Sequence, residues 1–292
     1  MNRMQWELMQ MRQAWELYLN LLPLHLRKPV DELYTHQVLE TRLRLNQKPE
    51  IVTQNGCFWL DKPISQEDLT FTVNVASRYS PWSAETISQG YITAAGGNRI
   101  GICGQAALCS SKVHTIRAIT SLCIRAAHDI YGIAPEIAKE NGSILIIGCP
   151  GSGKTTLLRD LIRRLSKRFN VSVVDEREEI FPVSTDGFCF STGKRTDVLS
   201  GCPKAHGIDM VLRTMTPDYI AVDEITADSD CEALLRAGWC GVKLLATAHA
   251  RDMDELLKRP VYRPIMECRL FDTFFIMRQD KTYYMERMQI CC

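Results

Sequence analysis

This 292-residue chain contains no apolar run of transmembrane length, and its charges nearly cancel: 35 Lys and Arg against 34 Asp and Glu, net +1. The first absence argues against a membrane-spanning helix. The second removes any overall pull toward nucleic acid or anionic lipid. Twelve cysteines are present, yet none stand as C-x-x-C, so no zinc-ribbon signature exists. They are expected to be reduced and mostly structural. The Trp- and Met-rich start is interrupted by Glu7 and Glu16 and lacks the form of a secretory signal. No internal repeat or low-complexity tract is present.

The chain is 46% apolar and 24% charged, a balance that supports a packed core in one large or two ordinary domains. Residues 1–138 mix the two hydrophobic periods. Met4–Leu22 shows helical spacing, with Trp6, Met9, Gln13, Leu17 and Leu21 near one face, punctuated by Pro23 and Pro29. Glu40–Leu45 alternates as a half-buried strand does. Asn55-Gly56 predicts a hairpin turn between Glu50–Val52 and Cys57–Leu60. Glu67–Tyr79 predicts a helix, Gly90–Thr93 and Arg99–Gly104 predict strands, and Ile119–Tyr131 predicts a helix stopped by Gly132 and Pro135. This mixture suits a small α+β domain.

Residues 139–292 alternate strand and helix instead. Strands are expected at Ile144–Ile147, Val171–Val174, Tyr219–Val222 and Lys243–Ala246, and helices at Thr155–Ser166, Gly207–Met215 and Asp228–Ala237. Uninterrupted apolar strands imply a parallel sheet buried on both faces, with its ligand at the carboxyl ends.

Between the first such strand and helix stands Gly148-Cys149-Pro150-Gly151-Ser152-Gly153-Lys154-Thr155, which meets G-x-x-x-x-G-K-[ST] at every fixed position. Glycines let backbone N–H groups close around phosphate oxygens, and the helix N-terminus adds partial positive charge. Lys154 is expected to reach the β- and γ-phosphates and Thr155 to ligate Mg²⁺, with Thr156 completing the nucleotide-binding set. ATP and Mg²⁺ are the expected ligands.

Tyr219-Ile220-Ala221-Val222 ends in Asp223-Glu224, the arrangement of a Walker B strand. Asp223 would serve the metal and Glu224 the attacking water. A second strand ends in Asp175-Glu176-Arg177-Glu178-Glu179. Asp175, Glu176 and Glu179 are candidates for another catalytic carboxylate, Glu176 the weaker because strand alternation points it away from Asp175. A later strand closes in Thr247-Ala248-His249-Ala250, where Thr247 or His249 is placed to sense the γ-phosphate.

These motifs resemble the secretion ATPases of the type II and type IV machineries. The shared features are the P-loop, the acid cluster at 175–179, Leu212-Arg213-Thr214-Met215-Thr216-Pro217-Asp218 leading into Asp223, and the His segment at 247–250. The chain is more closely similar, over nearly its whole length, to the stage III sporulation protein AA family of spore-forming bacteria. That resemblance also includes Arg42-Leu43-Arg44, Gly96-Gly97-Asn98-Arg99-Ile100-Gly101-Ile102-Cys103-Gly104 and Ile124-Arg125. It implies a RecA-like P-loop ATPase core preceded by a smaller α+β N-terminal domain, assembled as a hexamer. It further implies work beside membrane-embedded sporulation channel proteins between mother cell and forespore, from the cytoplasm and peripheral to the membrane. Type II secretion ATPases usually have Gly where Asp223 stands, and many carry a tetracysteine zinc element that this chain lacks. In such rings arginines complete the nucleotide site; Arg99, Arg125, Arg117, Arg195 and Arg213 are candidates, the first two being the positions the resemblance favours. The rival reading is a nucleic-acid-binding motor or loader. Near-neutral charge and the lack of RNP, KH or helix-turn-helix signals weigh against it.

Overall fold

A computed structural model describes residues 12, 14–33, 38–53, 55–77, 87, 90–109, 112–127, 129–184 and 187–287. Residues 1–11, 13 and 78–81, which carry the start of the Met4–Leu22 helix and the end of the Glu67–Tyr79 helix, lie outside them. The chain forms two compact units. One comprises Met1–Asp129 with Pro182–Phe190; the other comprises Ile130–Phe181 with Ser191–Cys292.

In the first unit, α1 (residues 14–21) and α2 (Leu24–Asp31) are separated at Pro23, which sits at the N-cap of α2. Pro29 lies inside α2 and does not end it. Strands β1 (Val38–Arg44), β2 (Glu50–Thr53) and β3 (Gly56–Trp59) follow, then α3 (Gln66–Ser77), β4 (Tyr91–Thr93), β5 (Arg99–Cys109) and β6 (Lys112–Arg125). They form one antiparallel sheet in the order β3-β2-β1-β6-β5-β4. The helix expected over Ile119–Tyr131 is therefore corrected: it is strand as far as Arg125, where β6 ends. Val113, Thr115, Ile116, Ile119, Thr120 and Ile124 are β-branched and suit a pleated surface. Pairing with β1 on one side and β5 on the other selects period two: Leu122 and Ile124 face the core while Arg125 is exposed. Trp15, Tyr18, Leu22, Leu26 and Val30 pack with Leu43, Ile51, Ile100 and Ile124. Each such fully buried side chain contributes about 1.5–3 kcal/mol. The Tyr18 hydroxyl is buried but donates to Thr41 Oγ1 at 2.7 Å.

The second unit is a seven-stranded sheet. Its elements in chain order are β7 (Ile144–Gly148), α4 (Lys154–Leu165) and β8 (Val171–Asp175). Next the chain passes through Pro182–Phe190 of the first unit, where β9 (Val183–Ser184) pairs with β10 (Gly187–Phe188) and Pro182 packs on Gly97. It returns for β11 (Thr196–Ser200), α5 (Lys204–Thr214), β12 (Tyr219–Val222), α6 (Asp228–Trp239), β13 (Lys243–Ala248), α7 (Met253–Lys258), α8 (Arg263–Glu267), β14 (Thr273–Met277) and β15 (Tyr283–Arg287). The strand order is β11-β8-β12-β13-β7-β14-β15, parallel except for β15. β7, β8, β12 and β14 are buried at every residue, as expected of a sheet covered on both faces. The register aligns Val222 with Val174 and Ala246, and Ala248 with Ile147, so four strand ends converge on one edge. Among the described residues no helix is long and apolar enough to cross a membrane.

Candidate active site

The P-loop leaves β7 and enters α4. Gly151 and Gly153 take left-handed φ values of 72° and 100°, and α4 starts without a side-chain cap. Lys154 is 6% exposed; its Nζ donates to Gly148 O at 2.8 Å and Cys149 O at 3.1 Å and lies 3.2 Å from His249 Nδ1. Burial pulls its pKa down, against the opposing charges of Asp223 and Glu224. The Ser152 hydroxyl is buried and has no partner among the described residues. A buried ammonium held by carbonyl oxygens, an unpartnered hydroxyl and open helix N–H groups together fit a phosphate chain.

Next to it, Thr155 Oγ1 donates to Asp223 Oδ2 at 3.0 Å. Thr247, wholly buried, donates to Asp223 Oδ1 at 2.7 Å and accepts the Glu224 N–H at 3.0 Å. His249 Nε2 lies 3.1 Å from Glu224 Oε2. Thus β7, β12 and β13 bring Lys154, Thr155, Asp223, Glu224, Thr247 and His249 into one connected network. Thr155 and Asp223 are hard oxygen donors of the kind Mg²⁺ prefers. Among the described residues no group of three or more His, Cys, Asp or Glu could hold a metal alone.

The acid cluster divides. Asp175, 1% exposed, accepts backbone N–H bonds from Glu179 at 2.9 Å, Ile180 at 3.0 Å and Phe181 at 2.7 Å. Burial pushes its pKa up to about 6; the Phe181 and Glu179 bonds oppose the rise and the charge of Asp223 adds to it. Glu176 pairs instead with Lys204, Nζ to Oε2 2.8 Å. Asp175, Glu176, Glu179, Asp223, Glu224 and Lys204 border one small cavity. Lys204 escapes sequence reasoning, because no motif contains it.

Arg99 and Arg125 belong to the first unit, where they are register partners across β5 and β6. Arg99 lies over the Tyr91 ring at 4.2 Å, and Arg125 Nε is 3.9 Å from Glu40 Oε2. Arg117 is exposed on β6, Arg213 is exposed on α5, and Arg195 donates to Arg168 O at 2.8 Å. The cysteines form no disulfide among the described residues; Cys231 is buried, its thiol pushed up to about 12 by burial, whereas Cys57, Cys103, Cys240 and Cys268 are exposed.

A P-loop at the end of a central parallel strand, with acids at the same edge at the ends of β12 and β8, defines a RecA-like core. This fold recurs in solved structures. The ATPase DotB of Legionella pneumophila superposes with a TM-score of 0.59 at 16% identity, over 91% of this chain and 80% of its own. The pilus retraction motor PilT, solved with bound ADP, gives 0.60 at 14% identity, over 86% and 77%. At these identities the likeness concerns the fold. The chain belongs to the family described as sporulation stage III, protein AA, whose model matches residues 12–285. Stage III sporulation protein AA of Bacillus subtilis (strain 168) is 34% identical over 275 residues, 89% of this chain and 90% of its own.

Proposed function

We propose that this chain binds ATP with Mg²⁺, hydrolyses it, and uses the cycle to energise or regulate a sporulation channel. The observation that carries the reading is the side-chain network from the P-loop to the Asp223-Glu224 strand end. Lys154 is placed to neutralise the β- and γ-phosphates. Mg²⁺, when bound, draws charge from the phosphate oxygens, with Thr155 and Asp223 as its protein donors. Glu224 accepts the proton of the water that attacks the γ-phosphorus, while the bond to the β-phosphate oxygen breaks and ADP leaves. His249 orients Glu224 through Nε2 and faces Lys154 through Nδ1, so one imidazole links the phosphate-binding cation to the base. That link requires the neutral ring with its proton on Nε2. Asp175 holds the loop that carries Glu179 beside the same cavity.

The assembly is proposed as a homo-hexamer, cytoplasmic and held at the membrane through embedded channel partners. Its support is family membership and the Arg99–Arg125 pair. The family resemblance makes this pair a candidate for completing the site of the same or a neighbouring subunit.

The deciding experiment compares wild type with Lys154→Ala and Glu224→Gln, using a fluorescent ATP analogue and phosphate release. Wild type should release phosphate only with Mg²⁺. Lys154→Ala should lose binding and turnover; Glu224→Gln should keep binding and lose about 10²-fold or more in kcat. Wild-type turnover by Lys154→Ala would overturn the assignment.

A further inference from the structure

Lys204 is a buried charge that nothing in the nucleotide-binding network uses. Its side chain is 6% exposed and its Nζ lies 2.8 Å from Glu176 Oε2. By local rules it is misplaced. It is the first residue of α5, where a cation opposes the helix dipole, and that helix has no acid in its first turn and no side-chain cap. Desolvating an ammonium there is unfavourable unless a carboxylate compensates.

The backbone shows how the pair is made. One helical turn on, Gly207 is pressed against β8, since a Cβ there would fall 2.4 Å from Val174 Cγ1. The glycine lets α5 approach β8 closely, and this brings Lys204 to Glu176, just past the strand end. The cavity they border also holds Asp175, Glu179, Asp223 and Glu224. Five carboxylates around one cavity repel one another, and a cation among them compensates that repulsion. Arg177 borders the same cavity but is exposed; Lys204 is the buried one.

We propose that Lys204 is a positioning residue for ATP hydrolysis: it pins Glu176 to the cavity wall, leaving Asp223 free for the divalent ion and Glu224 for the attacking water. The proposal rests on the ATPase reading above. It assigns Glu176 to Lys204 and to no step of the reaction.

The test uses the full chain as Lys204→Met, Lys204→Arg and the neutral double variant Lys204→Met/Glu176→Gln. Phosphate release, analogue binding and thermal melting are read together. Lys204→Met strands the Glu176 carboxylate beside the reacting water, and kcat should fall about tenfold or more, with KM for ATP held within about twofold. Lys204→Arg keeps the cation and should retain most of the rate. The double variant removes the stranded carboxylate and should recover to within about threefold of wild type. A merely structural role would move the melting temperature while leaving kcat in place. Should Lys204→Met fail to melt cooperatively, the double variant carries the test, because it leaves no unpaired charge at the cavity. A wild type without turnover defeats the ATPase reading and this proposal together. With an active wild type, a Lys204→Met variant of unchanged kcat, or a folded double variant still depressed tenfold, defeats this proposal alone.

Discussion

The Asp175 carboxylate accepts the Glu179 backbone N–H at 2.9 Å, so the two outer acids of the cluster are bound into one loop and are not interchangeable. Asp175 is the loop's internal cap. Its pKa is raised to about 6, above the ordinary 3.8, first by burial. Between those values the folded chain holds a proton that the unfolded chain has released, so stability falls as pH rises from about 4 to 6. Above pH 6 the penalty is complete, on the order of 3 kcal/mol. Asp175→Asn lacks this titration. In metal-free buffer the stability of wild type relative to Asp175→Asn should be greater at pH 4.5 than at pH 7, read from urea melts at both values. A difference independent of pH would mean that Asp175 is not the titrating group.

Thr247 supplies one hydroxyl to two jobs, donating to Asp223 and accepting from the Glu224 N–H. Thr247→Val keeps the shape and removes both bonds, at a cost of about 1–3 kcal/mol for the buried groups left behind. It should lower kcat and raise the Mg²⁺ concentration needed for half-maximal rate, while Thr247→Ser retains both. Equal kinetics for the Val and Ser variants would show that the hydroxyl has no part in placing the acids.

At Gly207 helix propensity and packing point in opposite directions. Alanine gains about 1 kcal/mol in a helix interior, but here its methyl overlaps Val174 Cγ1, and overpacking typically costs 1–3 kcal/mol. Gly207→Ala should therefore lower the melting temperature, and by pushing α5 off β8 it should lower kcat as Lys204→Met does. A more stable variant with full activity would show that α5 is free to move.

For the proposed ring, ATP should promote association if it binds at a shared site, because a ligand stabilises the form that holds it. Sedimentation with and without a non-hydrolysable analogue measures this, beside turnover per subunit across a concentration series. Mixing Lys154→Ala with Arg99→Ala or Arg125→Ala subunits should restore part of the activity if an arginine acts between subunits. A monomer with concentration-independent activity would exclude the ring.

The second unit was legible because each of its central strands is an apolar run ending in residues of the proposed site. Tyr219–Val222 falls where expected, and β7, β8 and β13 extend their expected runs by one or two residues. Helix ends were less legible: α5 begins at Lys204, three residues before the expected Gly207. β6 was misread because Ile119, Cys123 and Ala126 also satisfy helical spacing; only two flanking strands select period two. The division of the acids was hidden as well. Asp175 is satisfied by backbone N–H groups four to six residues on, and Glu176 by a lysine 28 residues away, neither of which a local pattern announces.

The passage of the chain from one unit into the other and back places two consecutive residues in different units. Phe181, the last residue before the crossing, donates its N–H to Asp175. Pro182, the next residue, is anchored on Gly97 within the first unit, two positions before Arg99. One peptide bond therefore joins the residue that donates to Asp175 to the residue that packs on Gly97. The chain crosses between the units at 129–130, 181–182 and 190–191, so a backbone cut at any one crossing leaves the two covalently joined.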